Sequence, residues 1–263
     1  MTVHRYTDLR PAQLAARLEA YPAAIVPWGA LEWHGPHLPF GLDGLVAEAF
    51  CERLAERTGA ILLPSSYLPV TSLPHPQSIS IHTDTVRGVL RDLLDGLKGA
   101  GFRLVCLISG HYAQGHELVL AEAAEKHTRA GGAMVLTATP LALLGNPHLL
   151  DHAGRWEASQ MLALRPELVD LHALGEGALP PAAESAVLGD DPRQASADQG
   201  EALLERALAA WSGWMELLLA TRDPAPLYQL YGERREAYRE YVQRYYQGSW
   251  EEAIQAWWRE RTG

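Results

Sequence analysis

"FRLVCLISGHYAQGHELVLAEAAEKHTRAGGAMVLTATP", residues 102–140, runs from an apolar stretch that stops at Gly110, through a segment of helical periodicity, to a second apolar stretch that stops at Pro140. The first stretch is aliphatic and too short for a helix, and it reads as a strand. Residues 116–132 space their apolar side chains helically and end in Gly-Gly, a helix stop. The same alternation precedes it. "AAIVPWG" (23–29) predicts a strand, 44–59 an amphipathic helix, "AILLPSSY" (60–67) a strand, and 83–101 a helix capped by Thr83 or Asp84. Strand and helix in alternation predict an α/β fold: a mainly parallel sheet flanked by helices on both faces.

Such a fold binds ligands beyond the carboxyl ends of its strands. Two of the segments in that position are "GALEWHGPH" after 23–29 and "SGHYAQGHE" after 102–108. Within "WGALEWHGPHLPFGLDG" (28–44), Glu32, His34 and Asp43 carry the imidazole and carboxylate donors that hold zinc, manganese or iron. The same residue types also make a polar turn with Asp43 as a helix cap, and the stretch alone leaves both readings open. His111 stands just past a strand end, after a glycine that lets the backbone turn sharply, and becomes a fourth candidate ligand. His116 and Glu117, further along the same helix, read as helix-surface residues. A third cluster, "LLDHAGRWEASQML" (149–162), offers His152 as a general acid/base and Glu157 as a ligand or proton carrier. Its alternative is Asp151 as a helix cap with the other two exposed.

Past residue 140 the chain is loose, with Pro and Gly frequent from 145 to 193, until a helix capped by Ser196. From 224 onward the pattern is helical and rich in Tyr and Trp, which at that spacing reads as packing. The expected organisation is one domain over 1–222 and a helical aromatic extension over 223–263. With 263 residues and 48% hydrophobic composition a substantial core is available. A net charge of −10 argues against nucleic acid as a partner and leaves a small molecule. Cys51 and Cys106 are isolated in apolar stretches and read as buried, reduced thiols. No basic-then-apolar leader and no bilayer-length segment is visible, so no membrane association is expected and the location is expected to be cytoplasmic.

Three motifs in order, "PWGALEWHGPHLPFGLD" (27–43), "SGHYAQ" (109–114) and "LDHAGRWEAS" (150–159), with "GDDPRQASADQG" (189–200) as a weaker fourth, resemble the creatininase (creatinine amidohydrolase) family. The resemblance covers about residues 15–215. It implies a hydrolase with two divalent metal ions (Zn, Mn or Fe) that cuts an amide-type C–N bond, cyclic or a formamide, with hydroxide formed on a metal as nucleophile. It also implies a homo-oligomer, usually a hexamer. Carried over by position, Glu32 and His111 would bind one metal, His34 the other, and Asp43 would bridge. His152 would be catalytic, with Glu157 assisting it or ligating. Tyr112, Ser78, His148 and Asp151 are the corresponding candidate substrate contacts.

The sequence departs from the pattern at Ala113, where creatininase has a metal-binding glutamate, and at His148, where it has a substrate-covering tryptophan. Gln77 and Ser109 replace a usual glycine and asparagine. A degenerate relative that keeps a metal without catalysis, or an assembly module, are the competing expectations.

Overall fold

Ala23–Gly29 is buried at every position, which a strand tolerates only when both faces of its sheet are covered. The computed structural model describes residues 3–263 and places this strand, β2, in a wholly parallel sheet. The other strands are β1 (His4–Arg5), β3 (Ile61–Leu62), β4 (Ser66–Tyr67), β5 (Leu104–Ser109) and β6 (Met134–Ala138). Their order is β1-β3-β2-β5-β6, with β4 pairing β2 beyond β3. Ala24 lies opposite Val105 and Trp28 opposite Ser109, while Leu104 faces Met134 across the next ladder.

The segment expected as one strand over 60–67 is two. Pro64 separates β3 from β4 because its ring nitrogen has no hydrogen for the ladder. β1 was not anticipated, since two residues carry no periodicity.

Helices α1 (Pro11–Ala20), α2 (Leu42–Thr58), α3 (Thr83–Ala100) and α4 (Gln114–Arg129) precede or join the strands. Right-handed crossovers require α2, leading from β2 to β3, to lie on one face, and α3 and α4, which move the chain the other way across the sheet, on the opposite face. Packing agrees: α2 lies on β2 beside α5 (Arg155–Leu164) and the long α7 (Ala197–Thr221), while α3 packs on α4 and α4 on β6. The stretch after 140 is less loose than expected, holding α5 and the short α6 (Ala182–Ser185) between tight turns.

The tail forms α8 (Ala225–Ala237), α9 (Arg239–Tyr245) and α10 (Trp250–Thr262). It belongs to the main core: Tyr231, Tyr241, Tyr245 and Trp250 are buried in the same apolar cluster as the sheet. Tyr231 Oη donates to the Val135 carbonyl of β6. Cys51 and Cys106 are buried and unbridged. No helix among the described residues is long and apolar enough to cross a membrane.

Candidate metal centre

β2 and β5 are neighbours whose chains leave to opposite faces, one into α2 and the other into α4, so a crevice opens between their carboxyl ends. α2 returns into this crevice with Asp43 in its first turn. Glycines set how closely it comes. A Cβ on Gly29 would stand 2.3 Å from Gly44 Cα, and one on Gly110 would stand 2.0 Å from the Asp43 carbonyl oxygen. Gly110 thus serves close approach rather than the sharp turn read from the sequence. The loop between β2 and α2 is fixed by Glu32 N–H donating to Phe40 O (2.9 Å) and by buried His37, whose Nε2 meets Ala153 O at 2.9 Å.

Asp43 presents one carboxylate oxygen to each of two imidazoles. Oδ1 is 3.2 Å from His34 Nε2 and Oδ2 is 3.2 Å from His111 Nδ1. Glu32 Oε2 is 3.0 Å from His111 Nδ1, and 3.9 Å from both His34 Nε2 and His152 Nδ1. Glu157 Oε2 approaches His34 Nε2 to 3.7 Å. Two donor sets result, Glu32–Asp43–His111 and His34–Asp43–Glu157, sharing Asp43; Glu32, His34 and His152 form a third grouping that overlaps both. Within each, the donor atoms lie within 4.8 Å of one another.

The remaining ring nitrogens face backbone carbonyls, which assigns the tautomers: His34 Nδ1 to Glu32 O (3.0 Å), His111 Nε2 to Val70 O (3.2 Å) and His152 Nε2 to Trp33 O (3.2 Å). In its neutral, metal-binding form each imidazole would therefore turn an unprotonated nitrogen toward the carboxylates. Glu32 Oε1 accepts from Leu73 N–H, and Glu157 Oε2 from Ala153 N–H at 2.7 Å.

Glu32 Oε2, His34 Nε2 and both Asp43 oxygens are buried without a hydrogen-bond partner among the described residues. Such atoms are costly in an interior unless something compensates them. Nitrogen and oxygen donors converging without a thiolate suit borderline divalent ions. The residues fit a pair of such cations.

Mutual electrostatics support the same conclusion. Burial opposes charge on His34, but Asp43, then Glu157 and Glu32, push it up to about 10. Burial is likewise overcome at His111 by Glu32 and Asp43, which raise it well above the usual imidazole range. Asp43 is held far below the carboxylate range, against burial, by His34 and His111. Glu157 moves the other way: burial raises it well above its ordinary value, with Asp43 and Asp151 adding and His34 opposing. At His152 burial, then the charge of His34, lowers the pKa to about 4 against Glu32 and Asp43. This imidazole is neutral at pH 7, and its side chain is 16% exposed.

Above the six groups lies a cavity of about 270 Å³. Glu32, His111 and His152 form its floor, Tyr112 and Gln114 flank it, and Tyr238, Tyr241, Ile254 and Trp257 close it from the tail. Of the candidate substrate contacts, Tyr112 lies in this cavity and two do not. Ser78 sits outside, where its Oγ accepts from Trp33 N–H (3.0 Å). His148 is exposed on a turn whose Pro147, not the histidine, reaches the lining. Asp151 borders the cavity, but its oxygens accept from Trp156 N–H (2.9 Å) and Glu157 N–H (3.1 Å), which caps α5 and holds Glu157 in place.

His116 and Glu117, expected on a helix surface, are buried. His116 Nδ1 accepts from Val70 N–H (3.1 Å) behind His111, and Glu117 pairs with Arg234 (3.0 Å) and Tyr238 of the tail. Glu117 is covered by the tail and His116 by the chain at Val70, and no local period reveals either. The tail's lining residues were missed for the same reason. Half of the eighteen Tyr and Trp residues fall after position 223, and that concentration was the available signal.

The profile of the creatininase family, described as creatinine amidohydrolase, matches residues 7–215. A creatinine amidohydrolase of Pseudomonas putida is 31% identical over 173 residues, spanning 56% of this chain and 66% of that enzyme, just under two thirds of its length. A solved structure of a creatininase variant of "Zn-Zn type" is 25% identical with a TM-score of 0.69, covering 82% of this chain and 98% of that one. One of "Creatininase Mn" is 25% identical with a TM-score of 0.70, covering 81% and 98%.

Proposed function

This chain belongs to the creatininase family, and on that premise we propose that it is a metal-dependent amidohydrolase that cuts the C–N bond of a small amide, cyclic or a formamide. The observation that carries the reading is the set of four buried atoms on Glu32, His34 and Asp43 with no hydrogen-bond partner among the described residues, beneath a cavity whose floor includes Glu32. Glu32 and His111 would hold one divalent ion, His34 and Glu157 the other, with Asp43 between them. When bound, the two ions would lower the pKa of water toward neutrality and polarise the substrate carbonyl. Solved relatives of Zn–Zn and Mn type make those metals the first to try.

The chain's own groups supply the rest. His152 Nδ1 faces the floor unprotonated, since Nε2–H is spent on Trp33 O. It takes a proton from the attacking water and delivers it to the leaving nitrogen as the C–N bond breaks. Asp151 keeps Glu157 in register by holding its backbone N–H. Glu157 supplies the carboxylate that Ala113 lacks, and this counts against the competing reading of a relative without catalysis.

Loading the metal-stripped full chain with Zn or Mn and screening formamides, small cyclic amides and creatinine tests the reading. Metal retention with metal-dependent turnover of an amide is expected. Creatinine is expected to be a poor substrate, because the position of the covering tryptophan is His148, outside the cavity. No metal retained under any loading condition sinks the proposal. A homo-oligomer, a hexamer by the family resemblance, is part of the same proposal and is checked by light scattering.

A further inference from the structure

The family match ends at residue 215, yet four residues of the cavity lining, Tyr238, Tyr241, Ile254 and Trp257, lie beyond it. We propose that this C-terminal segment is the specificity wall of the site and selects an uncharged amide bearing a flat aromatic or apolar group; the inference rests on the amidohydrolase reading.

The wall is anchored, not loosely apposed. Glu117 in α4 is buried, and its carboxylate oxygens are met by Arg234 Nη1 (3.0 Å) and Tyr238 Oη, both from the tail. Tyr238 thus joins the wall to the helix that begins beside His111. Tyr241 stacks at 6.4 Å and 7° on Trp250, and the Arg261 guanidinium lies 4.1 Å from the centroid of Trp257. Rings held this way present flat faces at little entropic cost to a ligand.

The chemistry of the lining narrows what fits. No lysine or arginine stands among the described lining residues, so a carboxylate or phosphate on the far end of a substrate would find no counter-charge. Asp151, the acidic lining residue outside the metal floor, has its oxygens engaged by α5. Gln114 lines the cavity as an uncharged amide, and its buried oxygen has no hydrogen-bond partner among the described residues. The volume falls just below the usual range for ligand pockets and accommodates one ring with its amide rather than a peptide.

Formanilide, N-methylformamide and 4-carboxyformanilide offered to the metal-loaded full chain are the test. The expected order of kcat/KM is formanilide first, with the other two at least about ten-fold lower. Trp257→Ala and Tyr241→Ala should shrink the formanilide to N-methylformamide ratio by about ten-fold or more, mainly through KM, and Trp257→Phe should restore most of it. Tyr246→Ala, in the tail but outside the lining, should leave the ratio unchanged. Equal use of all three amides, or a ratio indifferent to Trp257→Ala in protein with full metal content, overturns the wall while leaving the amidohydrolase reading intact. Should no amide be hydrolysed, calorimetric titration with formanilide separates the two. Binding that is lost in Trp257→Ala retains the wall without the reaction, and no binding to the wild type overturns the wall.

Discussion

At and beneath the floor of the cavity, six ionisable side chains arrive from three separate stretches, residues 32–43, 111 and 152–157, and meet within a few ångströms. At the far wall, two tyrosines, an isoleucine and a tryptophan come from a single stretch, residues 238–257. The floor is polar, and its groups are held by backbone carbonyls, amides and each other. The wall is held by apolar burial and one buried ion pair. A polar cluster needs each partner in place, because a buried group left unpaired costs more than the bond it made. An apolar wall tolerates exchange of shape and is the part of a site where selectivity is most easily altered.

The largest effect should follow from removing the residue shared by both donor sets. Asp43→Ala is expected to lower bound metal from about two equivalents per chain to near none, and to abolish turnover. Elemental analysis of the purified variant is the check, and retention of both ions would show that the sets do not depend on Asp43.

A change confined to proton transfer should be smaller. His152→Ala should retain metal and lower kcat by about 10² to 10⁴-fold. Metal content and kcat measured together decide this, and a loss of metal equal to that in Asp43→Ala would make His152 a ligand instead.

The wall's anchor sets the next level. Glu117→Ala strands Arg234 in a buried site and should cost about 3 kcal/mol in urea unfolding, leaving the floor's metal content unchanged. Metal loss in parallel with stability would mean that floor and wall are one cooperative unit.

Protons report on the floor alone. Because the carboxylates raise His34 to about 10, its imidazole is protonated below that pH and must release the proton to bind a cation. Metal affinity is therefore expected to rise with pH, and loading at about pH 7.5 should release protons into solution. Calorimetry in two buffers of different ionisation enthalpy measures the release; none would contradict the arrangement at His34.

The smallest effect is expected outside both regions. His148→Ala and Ser78→Ala should leave turnover within about two-fold, as surface changes do. A larger loss would bring either residue back as a substrate contact.

The sheet and the floor were largely legible in the sequence for related reasons. Buried parallel strands are continuous apolar runs, and residues placed after them fall at the ligand-binding edge, so Glu32, His34 and His111 stood out together. Asp43 was ambiguous because helix caps and metal ligands share residue types, and only its position against the end of β5 separates the two. Ser78 and His148 are candidates only through the family resemblance, and local turns place both outside the cavity.

Local pattern determined the long strands β2, β5 and β6, the crossover helices and the donor types, since periodicity and turn chemistry act over a few residues. Tertiary structure decided which of those donors converge, because convergence depends on how closely α2 comes to the end of β5. It also decided that the tail belongs to the site. The pairing of buried Glu117 with Arg234 and Tyr238 is made across more than a hundred residues, and no short-range rule encodes it.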